Sequence, residues 1–231
     1  MSGSIHLGLT PWDMNIGAMA EQARLSESFG YDSIWLPENH FSGHGAVPDP
    51  LMLLSSMAAT TTTIRIGTTS YLLPLRHPLQ AAEQVAVLDQ LSNGRLILGL
   101  GRGYQAPTYS AFGISMRQKR EIFAESLAVI RRAWAGEELV MLEGATPVTL
   151  APLPVQRPHP PLWVAAFGPK ALAQVGSLGL PYLASPVESC QDLVDNLAVL
   201  REACVDAGHE VPFVVPVMRT MFVTESESER R

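Results

Sequence analysis

Short apolar runs rich in β-branched residues alternate along this chain with longer stretches whose apolar residues recur at helical spacing. That rhythm constrains the fold more than any other feature, because repeated βα units bury their apolar faces by sharing one parallel sheet. Seven runs read as strands, at residues 5–9, 33–36, 64–73, 96–100, 162–166, 182–184 and 213–223, the last broken by Pro216. Between them, Met19, Ala23, Leu25 and Phe29 mark a first helix closed by Gly30, with further helices at 51–59, 79–91, 122–134 and 193–207. Asn93-Gly94, Gly136 and Gly208 supply stop signals. Residues 137–161 break the rhythm with six prolines and read as an excursion over the surface, with room for a short hairpin.

Parallel βα repeats close into a barrel or open into a doubly wound sheet, and the first unit separates the two. An open dinucleotide fold places a glycine-rich turn after strand one, where this chain has Thr10-Pro11-Trp12-Asp13-Met14. The glycines gather after strand four instead. The expected fold is therefore α/β, a TIM (β/α)8-type barrel forming a single domain over residues 1–231. Such a barrel takes eight strands and about 250 residues, so with seven strands visible the chain reads as stopping before its last βα unit. Residues 224–231 resemble the start of a helix cut short. An open edge beside strand one would invite pairing, which implies a homo-oligomer.

Charged residues are 16% of the chain and the net charge of -6 is dispersed, so no basic stripe is available for nucleic acid. No stretch of eighteen apolar residues and no secretory leader stand out, which gives a cytoplasmic protein without membrane partners. Cys190 and Cys204 lie fourteen positions apart in a helical segment without other ligands nearby, the pattern of reduced thiols and not of a metal site.

In a barrel the chemistry sits in the loops after the strands. After strand two, Glu38, Asn39, His40 and His44 bring a carboxylate, an amide and two imidazoles into seven positions. Either imidazole could act as a general base or contact a heterocycle; equally, Glu38 and His40 could simply brace the loop backbone. Zinc would need ligands converging from a glycine-rich loop without helical spacing. After strand three, Gly67-Thr68-Thr69-Ser70-Tyr71 offers hydroxyls and little bulk. After strand four, Gly99-Leu100-Gly101-Arg102-Gly103-Tyr104 frees backbone N–H groups beside a guanidinium fork suited to phosphate oxygens. After strand five, Phe167-Gly168-Pro169-Lys170 opens a helix whose free N–H groups attract an anion.

With these loops, the chain resembles the luciferase-like monooxygenase family. The resemblance is carried by Gly30-Tyr31-Asp32-Ser33-Ile34-Trp35-Leu36-Pro37-Glu38-Asn39-His40-Phe41, Arg76-His77-Pro78, Leu88-Asp89-Gln90-Leu91-Ser92-Asn93-Gly94-Arg95 and residues 99–104, and more loosely by Pro160-Pro161-Leu162-Trp163-Val164-Ala165 and Gly179-Leu180-Pro181. It implies a barrel whose mouth holds reduced FMN, with molecular oxygen and a small organic molecule as substrates and a flavin reductase as a possible partner. It makes Arg102 the flavin-phosphate arginine, with Gly101, Gly103 and Tyr104 beside it, and Thr69-Ser70 the place of a non-proline cis peptide under the flavin ring. Phe167 and Gly168 would add backbone contacts. His40, Asn39 and Glu38 are then the catalytic candidates. Asn39 stands where luciferases carry a histidine base, which argues against light emission, and Ala166-Phe167 replaces a polar pair. His40 also matches a histidine of dehydrogenases that use the deazaflavin F420, so that cofactor is the alternative, as is a flavin-binding remnant without turnover.

Overall fold

The computed structural model describes residues 5–212, 214–221, 223 and 224. They cluster into two compact units, Met1–Leu162 and Trp163–Arg231.

In the first unit, strands β1 (Gly8–Leu9), β2 (Ser33–Leu36), β3 (Arg65–Thr68) and β5 (Leu96–Gly101) pair in parallel in that order, and a two-residue β4 (Tyr71–Leu72) also lies parallel to β5. Helices α1 (Met19–Ser28), α2 (Pro50–Thr60) and α3 (Pro78–Leu91) make the crossovers. Neighbouring helices pack on one another, α1 on α2, α2 on α3, and α3 on α5 (Lys119–Trp134). The β-branched and leucine side chains of the strands, such as Ile34, Leu36 and Ile66, are wholly buried together with Met19, Leu54, Met57 and Ala82. Removing that apolar surface from water is the main force holding the layers together.

Alternate strand residues point the other way. There Trp35 is seated against Gly8 of β1 and Gly67 of β3, where any Cβ would collide with it or with Ser33. Its indole N–H donates to Ser33 Oγ at 2.8 Å. Small neighbours on both sides thus make room for one large ring.

Two charged side chains clamp the loops that enter the strands. Glu27 accepts the N–H groups of Thr62, Thr63 and Ile64 at 2.5 to 2.9 Å, and those donors hold its carboxyl down to about 2 despite partial burial. Arg95 donates to the carbonyls of Ala58, Thr61 and Ile64 at 2.9 to 3.1 Å, satisfying the last turn of α2. Asp89, fully buried on α3, accepts from the backbone N–H of Gln156 at 2.9 Å and its side chain at 2.7 Å, which ties the proline-rich excursion to the core. Within that excursion Leu139 and Val148 exchange both backbone hydrogen bonds, the expected hairpin in its shortest form.

In the second unit β6 (Leu162–Ala165) pairs in parallel with β7 (Tyr182–Leu183), and α6 (Pro169–Ser177) packs on α7 (Cys190–Asp206). Gly176 permits that approach, since a Cβ there would lie 2.5 Å from the Ala203 methyl. Ser189 and Asp192 close a reciprocal cap at the start of α7. Cys204 is buried and Cys190 exposed, both as free thiols.

Several expectations change in detail. Strand one shrinks to Gly8–Leu9 because Leu7 N–H is taken by the Asp32 carboxylate at 2.7 Å, leaving Ile5 and Leu7 exposed. The run 64–73 divides at residues 69–70 and ends in a 3-10 turn, Leu73–Leu75. A short helix, α4 (Ala106–Ala111), precedes α5 without a sequence signal long enough to show it. Of the run 213–223, the described part forms one parallel bridge, Ala184 with Val217; residues 213 and 222, and the tail at 225–231 read as a helix start, lie outside the described residues. Among the described residues no helix is long and apolar enough to cross a membrane, and no cluster of His, Cys, Asp or Glu could hold a metal ion.

Candidate active site

Two residues past the end of β2, the carboxylate of Glu38 has no solvent exposure at all. A buried charge is tolerated only when its lone pairs are met. Oε1 accepts from Arg76 Nη1 at 2.7 Å and contacts His40 Nε2 at 2.7 Å, while Oε2 accepts the N–H of Leu72 at 2.9 Å. Arg76 also donates to the Leu72 carbonyl at 3.1 Å and lies 4.1 Å above the Tyr71 ring, a cation–π arrangement. Burial pushes the Tyr71 hydroxyl well above its ordinary range, keeping it a neutral phenol. One carboxylate therefore joins the loop after β2 to β4 and to the turn after it.

The other members of the loop have separate tasks. Asn39 Oδ1 accepts from Ser42 Oγ at 2.8 Å and from the Val47 N–H at 2.9 Å, so its side chain fastens the loop. His44 is exposed in the turn Gly43–Gly45. The structure brings together Glu38 and His40, but not His44. Phe112, after α4, stands edge-on to the His40 ring at 5.1 Å, and Phe41 lies 5.8 Å from it. Phe41 has a positive φ of 59° and is 72% exposed.

Beside this cluster the Thr69–Ser70 peptide is cis, as the family resemblance implies. Thr69 N–H donates to the Leu36 carbonyl at 2.7 Å, and Thr68 Oγ1 to the Gly99 carbonyl at 2.8 Å, so the bend is tied to β2 and to β5. Ser70 Oγ occupies the space that a Cβ on Gly101 would need. Any larger residue there would force Ser70 to shift.

Past β5, Arg102 is 6% exposed, with its guanidinium 5.4 Å from the Phe123 ring centre. Tyr109 donates its hydroxyl to the Arg102 carbonyl, and burial pushes that phenol up to about 12. Lys119 Nζ donates to the Gly103 carbonyl at 3.0 Å. Burial, and then the nearby Arg120, depress the Arg102 pKa; burial, Arg102 and Arg120 together depress that of Lys119. Three cations thus crowd one glycine-edged turn, in which Gly103 has φ +68°. Like charges held together favour a ligand carrying more than one negative charge. Tyr104 is 73% exposed. Phe167 and Gly168 belong to the second unit, where Gly168, with φ +77°, caps α6.

In the sequence Arg76 belongs to a motif that carries no evident task of its own, and Lys119 and Arg120 belong to none. A signal for the pair was present: both begin α5, and cations at a helix N-terminus oppose its dipole, so something other than helix stability keeps them there.

Parallel βα units, with a glycine-edged turn carrying Arg102 and a buried Glu–His–Arg cluster after the strands, define an α/β protein. The family model for luciferase-like monooxygenases matches residues 2–231, and the chain belongs to that family. The oxygenase component of the flavin-dependent trigonelline monooxygenase of Acinetobacter baylyi is 27% identical over 91% of this chain and 60% of its own length. Among solved structures, the oxygenating constituent of 3,6-diketocamphane monooxygenase from Pseudomonas putida, in complex with FMN, superposes with a TM-score of 0.82 at 21% identity, covering 98% of this chain and 70% of that one. The coenzyme F420-dependent tetrahydromethanopterin reductase of Methanopyrus kandleri does so with a TM-score of 0.71 at 21% identity, covering 90% and 62%. Both likenesses place the fold in the α/β class, of the incomplete TIM-barrel type. The chain spans between 49% and 61% of the length of the first curated relatives it matches.

Proposed function

We propose that the first unit binds reduced FMN and that the protein is the oxygenase of a two-component monooxygenase acting on a small organic substrate. The observation that carries this is a nearly buried Arg102 at the glycine-edged end of β5, with Lys119 Nζ 3.0 Å from the Gly103 carbonyl and Arg120 next to it at the start of α5, a donor set suited to a phosphate dianion. The cis Thr69–Ser70 bend, with Ser70 seated against Gly101, is the backbone that would receive a planar ring system. When bound, reduced flavin would supply the electrons that activate oxygen.

This chain's residues would do the rest. Arg102, with Lys119 and Arg120, neutralises the phosphate; His40 exchanges a proton with the reacting molecules; Glu38 and Arg76 hold its ring; Phe41 and Phe112 shield it from water. Tyr104, exposed beside Arg102, would help to hold the flavin. Asn39 contributes loop geometry. A separate flavin reductase would supply the reduced cofactor, in keeping with a relative named as an oxygenase component. Self-association belongs to the same proposal.

The test is a visible-spectrum titration with FMN and, separately, with F420, followed by NADH-driven oxygen uptake in the presence of a flavin reductase. Saturable FMN binding with oxygen uptake that rises on adding an organic substrate is expected. Binding of F420 alone would move the protein to the deazaflavin branch. FMN binding without any substrate-dependent uptake across a substrate panel would make it a flavin carrier.

A further inference from the structure

We infer that His40 presents Nδ1, and not Nε2, to the reacting molecules, and that Glu38 and Arg76 are the positioning residues that fix this choice. The inference rests on the proposed flavin site for its functional meaning, although the tautomer itself follows from the Glu38 cluster.

A carboxylate has only lone pairs to offer. Arg76 Nη1 at 2.7 Å and the Leu72 N–H at 2.9 Å are obligatory donors to it, one on each oxygen. The third contact, His40 Nε2 to Oε1 at 2.7 Å, is a hydrogen bond only if Nε2 carries the hydrogen. A neutral imidazole has one N–H, so Nδ1 is then the bare nitrogen. Among the described residues nothing donates to it, and Phe112 and Phe41 flank the ring. Asn39 offers no competing base, because its amide oxygen is held by Ser42 and Val47.

The arrangement selects a substrate class. The molecule that docks beside His40 is largely apolar, to suit the two phenylalanines, and carries one proton donor aimed at Nδ1. On transfer, the N–H bond forms at Nδ1 as the donor's bond to hydrogen breaks, and the donor keeps the electron pair. The imidazolium so formed retains its Nε2–H on Glu38, whose negative charge stabilises it. Arg76 in turn holds Glu38 in place, with its guanidinium carbon 4.1 Å from the Tyr71 ring centre.

The tautomer can be read without any cofactor, by nitrogen NMR of protein labelled with 15N-histidine, at a pH where the ring is neutral. The His40 signals are those lost in His40→Asn or, should that variant fail to fold, those displaced in Phe112→Ala by loss of the ring current. A protonated Nε2 with a bare Nδ1 is expected. In Glu38→Gln one acceptor oxygen must serve three donors, so the preference for Nε2–H should fall; Arg76→Lys should keep it better than Arg76→Met. The opposite tautomer in the wild type, or an even mixture, overturns the inference, and a Glu38→Gln spectrum identical to wild type removes Glu38 from the role. An FMN titration on the same samples separates the two claims: FMN binding with the opposite tautomer overturns this inference alone, and the Nε2–H tautomer in a protein that ignores FMN overturns the flavin site alone.

Discussion

Ser70 fills, with its hydroxyl, the space in which a side chain on Gly101 would have to begin. The bend after β3 and the end of β5 are therefore in direct contact, and Arg102 follows immediately after that contact. Gly101→Ala should destabilise the protein by about 1–3 kcal/mol, the usual cost of overpacking, and should weaken FMN binding as well. Thermal unfolding and an FMN titration check both; a variant with wild-type melting and affinity would show that the contact yields freely.

Arg102→Ala should weaken FMN binding by about 1.5–3 kcal/mol, the range for a charged hydrogen bond. Lys119→Ala should have a smaller effect, because that ammonium also serves the Gly103 carbonyl. Affinity should fall with added salt in the wild type and less steeply in either variant. Isothermal titration at two ionic strengths decides the matter, and an unchanged affinity in Arg102→Ala would remove the phosphate from this turn.

Glu27 has its pKa lowered from 4.5 to about 2 in the folded protein. A depressed carboxylate stabilises the fold above its unfolded pKa and loses that contribution as pH falls toward the folded one. The wild type should therefore lose stability between about pH 4.5 and 2, and Glu27→Gln should lose less over that window while being less stable at neutral pH by about 1–2 kcal/mol, a figure reduced for partial exposure. Urea unfolding at pH 7 and pH 3.5 gives the comparison; parallel pH curves for the two proteins would count against the clamp.

Gln156→Ala leaves one Asp89 oxygen buried without its side-chain donor and frees the Leu96 carbonyl. A cost of about 1–3 kcal/mol is expected. Should denaturant midpoints of variant and wild type coincide, the excursion must be held by other contacts.

The strand-and-helix order was legible because each element carries its own punctuation. Pro50 and Pro78 open α2 and α3, and the left-handed Asn93-Gly94 pair closes α3. Helix α4 was not legible, since six residues span under two turns and show no period. In the site, Glu38, His40, Ser70, Gly101 and Arg102 could be named from the loops that follow strands. What joins Arg76 to Glu38 is a separation of 38 residues, and nothing in a single sequence says which cation will meet which carboxylate. The same holds for Lys119 and Arg120: that they fall near Arg102 depends on how α5 is placed, which their position at its start does not reveal.

The link between Asp89 and Gln156 spans 67 positions of chain. Closing so wide a loop carries an entropic cost that local turns avoid, so this link forms after the strands and helices it fastens. Its absence is then felt on the way out of the native state and not on the way in: Gln156→Ala should refold at near the wild-type rate and unfold about 5- to 150-fold faster, which is the whole of that cost of about 1–3 kcal/mol. The proline-rich excursion in this light is a latch on the lifetime of the folded first unit, closed last and opened first.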